Sequence, residues 1–304
     1  MPSKAFMTQK RKRIWPKLLL AGGMLFYLST CYNSKETVNL IALQQKDSLL
    51  LFAHRGVTTH FPENSHGALA SARQKGFKAI EIDIQQTANG DLVLFHDEDG
   101  KRLLNINSNI DEMHTREIKK HPLIFNNKKS SSFVLTLDEI FKLYHDDFII
   151  YLDVKVDDTR VFREIAKAIH QHGLTESVVV ASSSTTCIFY IEYFYPAIHT
   201  ALEGFHAGKE WVYHSIPKRL QPDFYSGSYK KVTPGHIRWL HQKDVMKKRI
   251  VYDVDSSNYQ VAVQAGFKNI IMDYFGNIEN NNNEPAGNDY PPATPAATAA
   301  SHAE

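Results

Sequence analysis

Nine short apolar runs, most of them separated by stretches of helical periodicity, fill the middle of this 304-residue chain. They span 49–53, 79–84, 92–96, 148–154, 177–181, 198–202, 223–225 (the weakest), 249–254 and 269–272. Helix signals punctuate the text between them. Asn64 or Ser65 is placed to cap a helix ending at Gly76, and Thr136 to Glu139 form a capping box ahead of Ile140, Phe141 and Tyr144. Val161, Ile165, Ala168 and Ile169 mark another helix, stopped by Gly173. Thr233-Pro234 opens a further one, and Val261 and Ala265 lie on the last, ended by Gly266. Such alternation predicts a parallel sheet, either closed into a (β/α)8 barrel or open and doubly wound. Nine runs exceed the barrel by one. The connection between Ile84 and Leu92 is shorter than the dozen or so residues that a parallel crossover needs, so that pair is expected to be a hairpin with one member outside the count.

A composition 43 % hydrophobic and 22 % charged supplies the core of one large α/β domain, expected over 48–276. The two cysteines, Cys31 and Cys187, make neither a disulfide framework nor a zinc pattern, and Cys187 reads as a plain buried thiol. Residues 1–31 hold six Lys and Arg and no acid, leaving 29 of the 35 basic residues against all 33 acidic ones. No basic stripe interleaved with aromatics remains, so no nucleic-acid partner is expected, and no obligate protein partner is evident. The basic block instead leads into an apolar stretch, Leu18 to Leu28, of secretory length and too short to span a bilayer. Leu28-Ser29-Thr30-Cys31 resembles a bacterial lipobox, apart from Thr30 where a smaller residue is usual. Residues 1–31 are therefore expected to be a signal peptide or lipoprotein signal, with export and a membrane anchor at Cys31. A linker is expected over 32–47. The Asn-, Pro- and Ala-rich tail 277–304 has too little apolar content for a core and is expected to be disordered.

The chemistry gathers where apolar runs end. His54-Arg55 follows the first, Glu81 and Asp83 lie in the second, His96-Asp97 follow the third, and Asp153 and Lys155 close the fourth. In a parallel barrel those ends share the face where active sites are built. Residues two apart on a strand point the same way, so Glu81 and Asp83 converge with each other. On the solvent side of an edge strand they would mean nothing. Ile80, Ile82 and Ile84 on the opposite face argue for the barrel mouth instead. Three convergent carboxylates, Glu81, Asp83 and Asp153, suit one hard divalent cation, Mg²⁺ or Ca²⁺. Arg55 and Lys155 add positive charge for a phosphate. His54 and His96 are of the type that moves protons near neutral pH. Together these groups describe phosphodiester cleavage.

The ordered series His54-Arg55-Gly56, Pro62-Glu63-Asn64-Ser65, Glu81-Ile82-Asp83, Thr87-Ala88-Asn89-Gly90 and His96-Asp97 resembles the signature of the glycerophosphodiester phosphodiesterase family, and Leu135 to Phe141 resembles a later segment of it. The resemblance implies a single-domain (β/α)8 barrel, the TIM-barrel fold, that hydrolyses glycerophosphodiesters to glycerol phosphate and an alcohol. It implies His54 and His96 as the acid/base pair, Glu81, Asp83 and Asp153 as metal ligands, and Arg55 and Lys155 on the phosphate. It places Glu63 near the site, Tyr252 on the pocket wall, and Asn64 as the cap of the first helix.

The chain departs from that pattern in places. Asp153 stands where Glu is usual, one methylene shorter. Ser183 stands where an aromatic residue is usual, Tyr252 where Trp is, and Met272 precedes Asp273. Most of these changes fall on the substrate side, so an unusual head-group alcohol is expected. The span between His96 and Thr136 reads as short and polar, with little room for a subdomain and an open pocket. Two other activities fit the same residues: a lysophospholipase D or related phospholipid-cleaving phosphodiesterase acting on a lysolipid, and a non-catalytic barrel that binds a phosphorylated ligand.

Overall fold

The computed structural model of the protein describes residues 49–276 and, apart from these, Gly23 alone. The expected signal, the anchor at Cys31, the linker and the tail lie outside the described residues. No described helix is long and apolar enough to cross a membrane.

In chain order the elements are β1 (Leu50–His54), α1 (His66–Gln74), β2 (Ala79–Gln86), β3 (Leu92–Leu94), α2 (Lys101–Leu104), α3 (Thr115–Ile118), β4 (Ile124–Phe125), β5 (Lys128–Lys129), α4 (Leu137–Tyr144), β6 (Ile149–Val154), α5 (Thr159–Gln171), β7 (Val178–Ser182), α6 (Thr185–Phe194), β8 (His199–Leu202), α7 (Glu210–Ser215), β9 (Phe224–Ser228), α8 (Pro234–Gln242), β10 (Arg249–Val254), α9 (Tyr259–Gln264) and β11 (Asn269–Met272). The strand order β1-β11-β10-β9-β8-β7-β6-β2, with β1 also paired to β2, closes an eight-stranded parallel barrel. The open doubly wound alternative is thereby excluded.

The ninth run is β3, antiparallel to the outer end of β2, with Ile84 opposite Leu94 and Gln86 opposite Leu92. The expected hairpin forms. It also corrects how His96 is placed. His96 does not cap a parallel strand; β2 overshoots the rim and β3 carries the chain back to it. Phe95 N–H donates to Asp83 O at 3.1 Å, and the Gln85 amide donates to the carbonyl oxygen of Asp97 at 3.2 Å.

Side-chain alternation along the strands sorts the barrel interior. Phe52, Ala79, Ile149, Tyr151, Val179, Ala181, Ala201, Ile250 and Ile271 pack as one buried core inside it. Two residues further along the same strands, on the same face, come His54, Glu81, Asp153, Glu203, Tyr252 and Asp273. The apolar plug therefore gives way to a polar upper layer at the C-terminal rim, where β/α barrels carry their sites.

Local signals set the helices. Thr136 and Glu139 form the reciprocal capping box, and Thr233 caps α8 with Pro234 at its start. The cap of α1 is Ser65, whose Oγ accepts from Ala68 N–H at 3.3 Å. Asn64 is not a cap; it turns at φ 55° and serves the site. Cys187 is buried in α6, its thiol pushed up to about 11 mainly by that burial.

The span after His96 departs from its polar reading. Leu103, Leu104, Ile110, Met113, Ile118, Leu123 and Val134 pack with Val93 and Phe95 into a second apolar core. These residues show no sustained helical or strand period, because the segment folds as one-turn helices, turns and the β4–β5 hairpin. Sequence periodicity is blind to such a core, and the result is a small layer standing beside the barrel mouth.

Candidate active site

The His54-Arg55-Gly56 turn has a steric cause. Arg55 takes φ 56° and Gly56 φ 83°, left-handed values that cost a side chain of ordinary shape about 1–2 kcal/mol. A Cβ on Gly56 would also lie 2.7 Å from the backbone carbon of Ala68, so only glycine lets the turn press on α1. Arg55 N–H is held by Glu81, through its carbonyl at 2.9 Å and its Oε2 at 3.0 Å. The turn aims His54 and Arg55 over the barrel mouth.

Register brings the carboxylates together. Glu81 lies opposite His54 on one side and Tyr151 on the other, and Asp83 lies opposite Asp153. One oxygen from each of Glu81, Asp83 and Asp153 falls within 4.8 Å of the others. Asp83 is almost wholly buried and heavily paired. Asn64 Nδ2 donates to its Oδ2 at 2.8 Å, Arg55 Nε lies 3.1 Å from the same oxygen, and Lys155 Nζ lies 3.0 Å from Oδ1. Asn64 Oδ1 also accepts from Asp83 N–H, so the two residues brace each other. Lys155 bridges Asp83 and Asp153.

The charges of these groups differ in cost. Burial pushes Glu81 well above the usual carboxylate range, and repulsion from Asp83 and Asp153 adds to it. Burial likewise raises Asp153 against the pull of Lys155. Burial works on Asp83 too, but Lys155, Arg55 and the Asn64 bond outweigh it and keep that carboxyl ionised. Lys155 is held firmly protonated against its own burial by Asp153 and Asp83.

Each histidine is oriented by an aspartate. His54 Nδ1 lies 2.8 Å from Asp273 Oδ1, and His96 Nδ1 lies 2.8 Å from Asp97 Oδ1. With Nδ1 engaged, the Nε2 atoms are the ones left for chemistry. Glu63 stands one step back. It accepts from Arg55 at 2.8 Å and from two nitrogens of Arg102 at 2.6 and 2.8 Å, while Arg102 also donates to both oxygens of Asp97.

A cavity of about 340 Å³ occupies the mouth. His54, Arg55, Glu81, His96, Asp153, Lys155 and Tyr252 line it, so most of the sequence-predicted residues meet there. Asp83 lies beneath, and Glu63 lines an adjoining groove instead. Asp253, in the left-handed region at φ 59° and bonded to Ser228 Oγ at 2.5 Å, also reaches the cavity. Sequence reasoning left out Glu203, which lines the pocket, accepts from Tyr151 Oη at 2.8 Å and is pushed up to about 7, first by burial and then by Asp153. Its signal was present: Glu203 falls two residues after Ala201, on the inward face, as Glu81 does after Ala79. Asp97 and Asp273 were read only as parts of motifs.

The donor set fits a cation. Three carboxylate oxygens converge, two of them disfavoured as anions where they stand, and oxygen-only donors suit a hard divalent ion. The shorter Asp153 still reaches the cluster.

Fold and site define a (β/α)8 barrel with a carboxylate and histidine centre at the C-terminal rim. The model of the glycerophosphoryl diester phosphodiesterase family matches residues 54–207, half of the chain, and the chain belongs to that family. A glycerophosphodiester phosphodiesterase of Caldanaerobacter subterraneus subsp. tengcongensis is 33 % identical over 139 residues, which cover 44 % of this chain and 57 % of that one. The chain thus spans about half the length of the curated relatives it matches first. Among solved structures, an Oleispira antarctica phosphodiesterase in complex with the product sn-glycerol-3-phosphate superposes with a TM-score of 0.66 at 18 % identity, covering 74 % of this chain and 93 % of that one. A glycerophosphodiester phosphodiesterase from Parabacteroides distasonis gives 0.62 at 21 % identity, over 75 % and 94 %. These likenesses establish the fold.

Proposed function

We propose that this protein hydrolyses glycerophosphodiesters to glycerol phosphate and an alcohol, with His54 and His96 as the proton-transfer pair. The observation that carries the reading is the pair of imidazoles, each with Nδ1 on an aspartate, lining one cavity with the carboxylate cluster. A site built only to bind phosphate has no need of two oriented imidazoles.

Arg55 and Lys155 would seat the diester phosphate by charge-assisted hydrogen bonds. One imidazole Nε2 takes a proton from the attacking hydroxyl, of substrate or of water, and the other returns one to the leaving alkoxide oxygen. Asp97 and Asp273 keep the Nδ1 protons in place and stabilise whichever ring becomes charged. Tyr252 and Glu203 face the space left for the rest of the substrate. Glu81, Asp83 and Asp153 would hold one divalent cation, Mg²⁺ or Ca²⁺. Bound there, it supplies Lewis-acid stabilisation of phosphate charge worth several kcal/mol.

The leader sequence supports export, with lipid attachment at Cys31, and mass spectrometry of the native N-terminus tests that. A mature chain starting at Met1 would dismiss it. The activity is tested by release of glycerol phosphate from a panel of glycerophosphodiesters with Mg²⁺, with Ca²⁺ and with chelator, using His54→Ala as control. Metal-dependent turnover lost in the variant is expected. Turnover unchanged by chelator would remove the metal from the reading, and no turnover from any diester would reject it.

A further inference from the structure

The outer face of α6 is aromatic where the solvent side of a barrel helix is ordinarily polar. Between Thr185 and Phe194 the helix holds one charged residue, Glu192, and that one is buried and bonded to Thr200. Cys187, Ile188 and Ile191 fill the inward face. Outward stand Tyr193, 42 % exposed, and Phe194, 60 % exposed. Their ring centres lie 4.9 Å apart; Tyr190 is 4.9 Å from Phe194, and Tyr195 continues the cluster 6.1 Å from Tyr190. We propose that this patch of four rings docks the folded domain onto the surface of an anionic lipid bilayer, with the catalytic mouth pointing away from it.

The patch lies at the end of the barrel opposite the site. Helix α6 runs back from the rim and stops at Phe194, and β8 then starts at His199, level with Val179 near the start of β7. Strand β1 enters at that same end, where Leu50 pairs with Asn269, the first residue of β11. Nineteen positions separate Cys31 from Leu50, a reach of at most about 65 Å. A tether at Cys31 thus joins the domain at the end where the rings lie.

Charge favours lipid over a second copy of the chain. Helix α5 and the 3₁₀ turn Lys218–Leu220 flank α6. On them and in the loop ahead of β7, Arg163, Lys167, Lys218 and Arg219 stand against Glu164 and Glu176, four cations to two anions. A symmetric dimer through the rings would bring two such cationic rims together. An anionic lipid surface instead gains about fivefold in affinity for each Lys or Arg held near it. Tyrosine, with an apolar body and a wet hydroxyl, suits the boundary between acyl chains and headgroups. Docked in this way, the rim faces solution, and substrate reaches His54 and His96 from water.

The test is amide hydrogen exchange on the full chain, with and without vesicles of phosphatidylcholine and phosphatidylglycerol. Exchange over 186–197 should slow with the vesicles and stay unchanged over the rim turn 55–65. Tyr193→Ser combined with Phe194→Ser should abolish that protection, with natural exchange in the barrel strands showing a folded domain. Lys167→Gln combined with Lys218→Gln leaves the rings in place and should weaken it about fivefold for each charge lost. Cys31→Ala, which accepts no lipid, should keep it, so the face is tested apart from the anchor. Protection that vanishes in Cys31→Ala, that falls on the rim instead, or that appears nowhere in the folded domain would overturn the proposal. So would protection without vesicles that rises with protein concentration, which would mean that a second copy covers the rings.

Discussion

His54 Nδ1 lies 2.8 Å from Asp273 Oδ1, although 219 positions separate the two residues. The two residues meet because β11 is the parallel neighbour of β1, with Ala53 opposite Met272. Asp97 does the same for His96, but from the adjacent position and with 24 % of its side chain exposed against 73 % for Asp273. Solvent weakens the more exposed pair. Asp273→Asn is expected to lower kcat about tenfold and Asp97→Asn up to about a hundredfold, the range seen when a partner orienting a functional histidine is removed. Steady-state kinetics checks this. KM rising with kcat unchanged would mean that the aspartates hold substrate rather than the rings.

Arg102 ties the small layer to the chemistry. Its guanidinium spans Asp97 and Glu63, the carboxylates that hold His96 and Arg55. Arg102→Ala should reduce kcat by about tenfold while KM moves little, since Arg102 acts through Asp97 and Glu63 and does not line the catalytic cavity. Arg102→Lys should recover only part of the loss, because an ammonium cannot grip two carboxylates in the plane of a fork. Full recovery by lysine would show that charge alone matters there.

Asp83 bears on stability as well as on the site. Asp83→Ala strips Arg55 and Lys155 of a buried anionic partner, and breaking such a pair costs about 3–5 kcal/mol. Asp138→Ala removes two solvent-accessible contacts, the i,i+4 pair with Lys142 and the 3.0 Å contact with His172 Nε2, and should cost about 1 kcal/mol at most for each. Urea denaturation compares the two. Equal losses would mean that the buried cluster is held by packing rather than by its charges.

The Arg102 node should come apart in acid. Its hydrogen bonds hold the Asp97 carboxyl down to about 2, from an ordinary 3.8. Glu63 is also lowered: burial opposes its charge, but Arg102 and Arg55 outweigh it. A folded-state pKa below the unfolded one gives stability that is fully present above the unfolded value and lost as pH falls through the folded one. Amide exchange over 97–135, measured relative to the barrel strands, should therefore lose protection between about pH 4 and pH 2. Uniform protection of both regions down to pH 2 would contradict this.

The local geometry of the chain was legible from residue order alone. Two-residue periodicity put Glu81 and Asp83 on the inward face, and all nine strand runs appear, their bounds shifted by a few residues at most. The over-count resolved as the hairpin that loop length required. Asn64 was read in its helical context, as a cap, because its partner Asp83 lies 19 residues on, in β2. The core under the insert was missed because short turns leave no period to read. Glu203 was missed because no neighbouring motif drew attention to its inward position.

The sequence by itself determined the nine strand runs of the main sheet and put Glu81 and Asp83 on its inward face. Both follow from φ, ψ and side-chain alternation within a few residues. Tertiary structure alone decided which strand ends became neighbours. Closing the barrel set β11 beside β1 and so joined Asp273 to His54, and folding of the insert brought Arg102 between Asp97 and Glu63. Those pairings come from how separate apolar faces bury one another across the whole domain, and residue order alone does not encode the distances involved.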